Sequence, residues 1–200
     1  MRQTLFTAIG RPNVLERQSD REVDEEEAQL ARRASRGDRE AFARLYERHL
    51  DAVYRYAFYR VRDDAEADDV TSEVFHRALQ AMPRYQPRRP FLAFLYRIAR
   101  NVIVDRARRA RPTMQLDDAA RWPSPASGPE EVAATLEDAR RLRGALARLT
   151  ALQQEVVILR FVEGLSLEEI AVMLGKPAST VRGIQFRALG ALRTVLGVQA

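Results

Sequence analysis

Apolar residues recur every three or four positions along most of this 200-residue chain. That spacing places them on one side of an α-helix. Two such series stand in the first half of the chain: Phe42, Leu45, Leu50, Val53 and Ala57, followed by Val70, Val74, Ala78 and Met82. No stretch of useful length alternates apolar and polar residues, which would be the pattern of a half-buried strand. The sequence therefore predicts an all-α fold.

A proline-rich segment interrupts the helical pattern in the middle of the chain. Residues 112–129 contain four prolines, one glycine and two serines, a composition typical of an extended linker. The first 27 residues hold seven acidic residues and four arginines without a sustained period, so we expect a mostly disordered tail that runs into a helix near Asp24. The predicted organisation is a tail (1–27), a first helical domain (28–111), a flexible linker (112–135) and a second helical domain (136–200).

The last third of the chain carries the start and stop signals of a helix-turn-helix. Ser166 and Glu169 fit a capping box, in which the two side chains satisfy free backbone N–H groups at a helix start. Gly175 permits the left-handed backbone that ends a helix. We predict a helix over 167–174, a tight turn, and a longer helix over 178–196. The residues expected to lock the two helices together are Ile170, Ala171, Leu174, Val181 and Ile184.

The longer of these helices is predicted to have one apolar and one polar face. The apolar face comprises Val181, Ile184, Ala188, Leu192 and Val195, and the opposite side comprises Ser179, Arg182, Gly183, Phe186 and Arg193. This pattern favours a recognition helix in the major groove of DNA. A helical hairpin with a solvated basic side is the alternative.

Individual residues of this helix suit different contacts with DNA. Arg182 is the best candidate to read a guanine edge, with Ser179 and Phe186 in support. The residues expected at phosphates are Lys176, Thr180 and Arg187. A glycine inside a helix costs about 1 kcal/mol relative to alanine, so Gly183 suggests a close approach to the groove.

An acidic segment in the first half of the chain suggests a basic protein partner. Six acids stand within the eleven residues 63–73, with no basic residue among them. Acids at a helix start favour the helix dipole, which explains the first of them. Asp69 and Glu73 are less well explained, because they share a face and repel each other.

The segment after it, Pro90 to Pro112, is apolar at one end and rich in arginine at the other. Its predicted buried face comprises Phe91, Phe94, Leu95, Ile98 and Val102, and a second face gathers Arg97, Arg100, Asn101 and Arg108. From residue 84 to 111 there are nine arginines and one acid, an imbalance that argues for a polyanionic ligand. Arginines in its middle and its short length exclude a membrane anchor.

The amino-acid composition further limits the classes of ligand and function that the chain can have. Of 33 basic residues, 32 are arginine, and the net charge is +5 with a pI near 10.0. Such an excess of arginine favours binding to nucleic acid, although a coding bias towards arginine would give the same excess. The chain has no cysteine and only two histidines, so we expect no metal, no cofactor and no catalytic set. The N-terminus lacks the order of a secretory signal, and we expect a soluble cytoplasmic protein.

Taken in order, three motifs resemble a bacterial RNA polymerase sigma factor of the sigma-70 family, extracytoplasmic-function (ECF) type. They are DDVTSEVFHRAL, FLAFLYRIARNVIVDRARR and LTALQQEVVILRFVEGLSLEEIAVMLGKPASTVRGIQFRAL. The resemblance covers about residues 28–110 and 136–196. A helix-turn-helix alone is shared with many regulators, whereas the three motifs in this order are much more specific.

The resemblance implies a role for each surface. The acidic helix would dock on the clamp helices of the polymerase largest subunit through Asp68, Asp69, Ser72, Glu73 and Arg77, with Ser72 standing where the family usually has glutamine. The loop and helix after it would bind and open the −10 promoter element through Tyr85, Arg88, Arg89, Arg97, Arg100, Asn101 and Arg108, with Phe94 replacing a common tryptophan. The last domain would read the −35 element through Lys176, Ser179, Thr180, Arg182, Gly183, Phe186 and Arg187.

Further partners follow from the same resemblance. The last domain would also touch the flap of the second-largest subunit, and an anti-sigma factor is expected to hold the protein inactive. Two other functions compatible with the residues are a stand-alone helix-turn-helix regulator with a sensing or dimerising N-terminal domain, and a helical adaptor that touches protein only. Steep loss of DNA affinity with rising salt separates the DNA-binding functions from the adaptor.

Overall fold

The computed structural model describes residues 14–86, 90–109 and 129–196, and side chains within 25–86, 90–109 and 138–195. Every regular element in these ranges is helical, which confirms the all-α prediction. The helices are α1 (Val14–Ser35), α2 (Arg39–Phe58), α3 (Asp64–Ala81), α4 (Phe91–Arg109), α5 (Pro129–Leu146), α6 (Ala151–Val157), α7 (Leu167–Leu174) and α8 (Ala178–Leu196). A 3-10 turn (Met82–Arg84) follows α3, and a π-helical turn (Ile158–Val162) extends α6.

Two helices begin earlier than the sequence suggested. Helix α1 starts at Val14, not near Asp24, because its residues are mostly glutamate, glutamine, arginine and leucine, which are good helix formers. Helix α5 starts at Pro129, within the predicted linker, since proline suits the first turn of a helix. The rest of that linker up to residue 128, and residues 1–13 of the predicted tail, lie outside the described residues.

The first four helices pack around a core that the periodic residues supply. Helix α2 lies between α1, α3 and α4, and the predicted series Val70, Val74, Ala78 and Met82 is buried in this core. In α4, Phe91, Leu95 and Val102 are buried, while Phe94 and Ile98 are half-buried.

No helix in the described ranges is both long and apolar enough to cross a bilayer.

The helix-turn-helix forms with the predicted bounds. The predicted capping box of Ser166 with Glu169 is present, and Thr150 with Gln153 forms a second one at the start of α6. Gly175 ends α7 in the left-handed conformation, with φ of 63°. The residues expected at the helix crossing are buried: Ile170, Ala171, Leu174, Val181 and Ile184.

One residue of the predicted apolar face of α8 is wrongly assigned. Val195 is exposed, although it continues the stripe of Val181, Ile184, Ala188 and Leu192. The stripe is buried where α8 packs on α5 and α6. Val195 lies in the last turn of α8, beyond those neighbours. The period of apolar residues in a helix does not show how far along that helix other helices pack against it.

The two helical groups, α1–α4 and α5–α8, pack against each other. The Arg60 guanidinium donates to the carbonyl of Ala151 at 2.7 Å, and the Gln154 amide donates to the carbonyl of Tyr59 at 2.8 Å. Arg143 of α5 pairs with Asp64 and stacks 3.4 Å over the ring of Phe58. The sequence predicted two modules on a tether, and the structure joins them through one continuous apolar core.

The left-handed cap at Gly175 predicts a stability effect. Gly175→Ala should lower the free energy of unfolding by about 1–2 kcal/mol, because a Cβ disfavours this conformation. Gly183→Ala is the matched control: it lies inside α8, where its Cβ would meet only Arg187 at an ordinary 3.7 Å, so it should raise stability by about 1 kcal/mol. Urea unfolding measures both, and equal stability of the two variants would contradict the cap.

Candidate DNA-binding and protein-binding surfaces

Helix α3 presents a small acidic surface. Asp63 caps its start by accepting from the Glu66 backbone N–H at 2.7 Å, so the first acids serve the helix itself. Asp68, Asp69 and Ser72 lie exposed further along the helix, and the Asp69 side chain is 71% exposed.

The predicted acidic face carries basic groups as well. The Glu73 carboxylate forms two ion pairs. One is with Arg77 of its own helix, and the other is with Arg106 of α4 at 3.0 Å. Arg106 also lies 3.5 Å from Asp69. Burial alone would raise the pKa of Glu73, but the hydrogen bonds from Arg106 and Arg77 outweigh it and lower that pKa. Arg106 of α4 therefore reaches this surface from across the helix pair, in addition to Arg77, which the resemblance already assigned to it.

Aromatic rings and an arginine gather at the start of α4. The half-buried Tyr85 ring lies 5.4 Å from the ring of Phe91 and 4.8 Å from that of Phe94. The Arg97 guanidinium lies over the Phe94 ring, 5.8 Å from its centroid. Flat rings and guanidinium planes are the groups on which unpaired bases stack. Arg88 and Arg89 of the same predicted site lie outside the described residues.

A carboxylate that sequence reasoning missed holds this end of α4. Glu27 accepts from the Phe91 backbone N–H at 2.7 Å, and its other oxygen lies 2.9 Å from Nε2 of His49. Burial acts to raise the pKa of Glu27, but the interactions with His49 and the Phe91 N–H prevail and lower it. The sequence assigned Glu27 to the tail, because a cap supplied from a helix 64 residues away leaves no local signal.

The arginine face of α4 is divided. Arg97, Asn101 and Arg108 are exposed, as expected of a strand-binding side. Arg100 points instead at α6, where its Nε lies 3.2 Å from the Glu155 carboxylate. The structure therefore brings three of these four residues to a free surface and places the fourth in the contact between the two helical groups.

That contact contains two buried carboxylates that the sequence analysis did not single out. Glu155 is 3% exposed and lies beside Arg100 and the hydroxyl of Tyr56. The Glu163 side chain is 2% exposed; it accepts two hydrogen bonds of 2.8 Å from Arg55 and one of 2.6 Å from the Tyr96 hydroxyl. Burial raises the pKa of Glu155. The sequence signal for these buried carboxylates was the position of Glu155 next to the apolar run that contains Val156.

A cleft of about 920 Å³ separates the start of α4 from α7. Tyr85, Phe94 and Arg97 line one wall, and Glu163, Glu168 and Met173 line the other. Helix α7 therefore stands directly opposite the predicted −10 surface.

The polar face of α8 forms one continuous exposed surface. Ser179, Thr180, Arg182 and Arg187 are exposed, Phe186 is 81% exposed, and Lys176 lies half-buried in the turn before them. Gly183 lies among them with room for a Cβ, so nothing within the described part of the protein requires glycine there. An exposed phenylalanine beside arginines suits contact with DNA bases and their methyl groups.

Comparison with known proteins places both helical groups in one family. Residues 45–113 match the family Sigma-70 region 2, and residues 145–194 match Sigma-70, region 4. These ranges contain α3 and α4 on one side and the helix-turn-helix on the other.

Individual proteins show the same similarity over most of the chain. The ECF RNA polymerase sigma factor SigD of Mycobacterium tuberculosis is 41% identical over 167 residues, which are 78% of this chain and 77% of that protein. The ECF sigma factor BldN of Streptomyces coelicolor is 37% identical over 84% of this chain, and the chain spans 65% of its length. The structure of CnrH in complex with the cytosolic domain of CnrY matches with a TM-score of 0.69 and 29% identity, covering 88% of this chain and 99% of that one.

The carboxylate cap on α4 generates a second prediction. Glu27→Ala should lower the free energy of unfolding by about 1.5–3 kcal/mol, because it removes a charged partner of a buried N–H group. The control Glu25→Ala, at an exposed position two residues earlier, should change stability by less than about 0.5 kcal/mol. Urea unfolding at neutral pH measures both, and equal effects would show that Glu27 does not cap α4.

Proposed function

This chain is a member of the ECF group of RNA polymerase sigma factors, and we propose that it carries out promoter recognition and melting through three separate surfaces. It binds polymerase core through α3, opens the −10 element with the start and arginine side of α4, and reads the −35 element with α8. The observation that carries the proposal is the pairing of an aromatic and arginine cluster on α4 with an exposed recognition helix in one chain.

Core binding is proposed for the exposed part of α3. Asp68, Asp69 and Ser72 would contact the clamp helices of the largest subunit directly. Glu73 and Arg77 would act beside them, and their ion pairs with Arg106 and Asp105 tie this surface to α4. Polymerase bound to α3 would therefore be linked through these pairs to the helix that holds the opened strand.

The −10 surface is proposed to act by stacking and charge. Extruding a base from the duplex costs a few kcal/mol, and stacking on an aromatic ring returns about 1–3 kcal/mol per base. Tyr85 and Phe94 offer the rings. The cations and polar groups proposed for the strand backbone are Arg88, Arg89, Arg97, Arg100, Asn101 and Arg108.

The −35 surface is proposed to act in the major groove. Arg182 would form two hydrogen bonds with a guanine edge, while Ser179 and Phe186 contact neighbouring bases. Lys176, Thr180 and Arg187 would hold phosphates on either side. Gly183 would let the helix approach the groove closely.

We also propose a division of these roles along the chain. Residues 28–111 would form the core-binding and melting domain and 136–200 the −35 domain, with α1 extending from the 1–27 tail into the first domain and α5 from the 112–135 linker into the second. The chain would have no catalytic activity of its own and act in the cytoplasm, under the control of an anti-sigma factor. The match of residues 45–113 to Sigma-70 region 2 supports this function over a stand-alone regulator.

Arg182→Ala should weaken discrimination at one position of the −35 element by about 1–3 kcal/mol, because one bidentate base contact is lost. The affinity for core should not change. Holoenzyme binding to single-base variants of a selected promoter measures this, with Arg193→Ala, exposed further along the same helix, as the control. Equal weakening on every variant sequence would make Arg182 a phosphate contact instead.

Asp69→Lys should weaken binding to polymerase core about tenfold, or 1.4 kcal/mol, because it places a cation in an acidic contact surface. Glu25→Lys makes the same charge change at an exposed site on α1 and should bind core normally. Titration of labelled protein with core measures both. Unchanged binding of the Asp69 variant would remove α3 from the proposed interface.

A further inference from the structure

The start of α4 is capped from another helix, whereas most helices carry their own cap. Pro90 stands directly before Phe91, and a proline side chain has no atom that accepts from the free N–H groups of a helix start. The first turn of α4 also contains no acidic residue. Glu27 of α1 supplies both the acceptor and the negative charge, since its carboxylate accepts from the Phe91 N–H at 2.7 Å.

His49 of α2 holds Glu27 in this position. Its Nε2 lies 2.9 Å from the second oxygen of Glu27, and both side chains are buried. The neighbouring charged residues, Glu26 on α1 and Arg48 on α2, pair with each other at 2.7 Å. A buried carboxylate without a partner is costly, so Glu27 depends on His49 to remain at the start of α4.

Phe91 connects this cap to the proposed −10 surface. Its buried ring lies 5.8 Å from the ring of His49 on one side. It also lies 5.4 Å from the ring of Tyr85 and 5.6 Å from that of Phe94. These two half-buried rings are the ones proposed to stack on an extruded base. The position of the Phe91 backbone, which Glu27 holds, therefore sets the position of both rings.

We propose that Glu27, His49 and Phe91 are positioning residues for strand opening, which fix the rings of Tyr85 and Phe94 in the orientation that receives an extruded base. The three residues act through the two rings and do not contact the DNA. The inference rests on the proposed function, because it assumes that these rings stack on a base of the −10 element.

Stability alone does not require this arrangement. A serine or threonine before the helix would cap it locally, without the cost of burying a charged pair. A local cap would leave the start of α4 free to shift relative to α1 and α2. The cap from Glu27 instead ties the backbone beside the two rings to both of these helices.

Fixed rings favour strand opening for an energetic reason. Extruding a base from the duplex is unfavourable, and stacking on an aromatic ring offsets that cost. A ring that moves freely has to be ordered when the base arrives, which reduces the net gain. Loss of the cap should therefore slow opening, while core binding by α3 and duplex reading by α8 stay unchanged.

Two variants remove the support of the rings and one preserves it. Glu27→Ala removes the acceptor of the Phe91 N–H. His49→Phe removes the nitrogen that faces Glu27 and keeps a ring beside Phe91. Glu27→Gln loses the charge but keeps a carbonyl oxygen that accepts from the same N–H. Glu25→Ala, at an exposed position two residues earlier on α1, is the matched control.

The assay uses each variant assembled with polymerase core, on a promoter selected by binding to the wild-type holoenzyme. The non-template strand carries 2-aminopurine at each adenine of the −10 element in turn, because its fluorescence changes when the base leaves the stack. The dependence of the stopped-flow rate on holoenzyme concentration separates affinity for the closed duplex from the rate of opening. Titration with core and urea unfolding show that each variant binds core and is folded under the assay conditions.

Glu27→Ala and His49→Phe should open the promoter about tenfold more slowly, because part of the stacking gain is lost. Their affinities for core and for the closed duplex should equal those of the wild type. Glu27→Gln should open within about threefold of the wild-type rate, and Glu25→Ala at that rate. If Glu27→Ala does not fold, His49→Phe decides the question, since it retains the ring volume in the core.

Three results would overturn the positioning role and leave the proposed function intact. They are wild-type opening by His49→Phe, opening by Glu27→Gln as slow as that by a folded Glu27→Ala or by His49→Phe, and a parallel loss of core and duplex binding, which marks a general structural defect. If the wild-type holoenzyme itself opens no promoter, the proposed function fails and the positioning role fails with it.

Discussion

The burial of α4 is the constraint on which the rest of this structure depends. Its apolar face completes the core of the first four helices, and its first backbone N–H is held by Glu27 from α1. Because packing fixes that face and that end, the orientation of the helix is set, and with it the direction in which its arginine side chains point. The same helix therefore supports the fold, presents the proposed −10 surface and meets the second helical group.

The charged residues of α4 connect three tasks that a sigma factor has to coordinate. Arg106 joins it to Glu73 on the proposed core-binding helix, and Arg100 joins it to Glu155 in the second group. Arginine suits such shared use, because its planar guanidinium binds carboxylates and phosphates in similar geometry.

Capping residues and glycines near each helix end made the helix-turn-helix predictable from the sequence. They gave no information on contacts between helices that are distant in the sequence. The bounds of α7 and α8 followed from Ser166, Glu169 and Gly175, since capping and left-handed turns act over a few residues. The cap from Glu27 and the partner of Arg100 depend on helices distant in sequence, so no window of sequence contained them. Val195 shows the same limit, because its exposure depends on where α5 and α6 end.

This chain alone is expected to give polymerase core its choice of promoter. The most direct test is run-off transcription with core and this protein as the single sigma factor, on genomic fragments selected by binding to the reconstituted holoenzyme. Transcripts should start at fixed positions, share upstream elements and disappear when the protein is omitted. Absence of any dependent transcript, together with no binding to core, would contradict the function of this chain as a sigma factor.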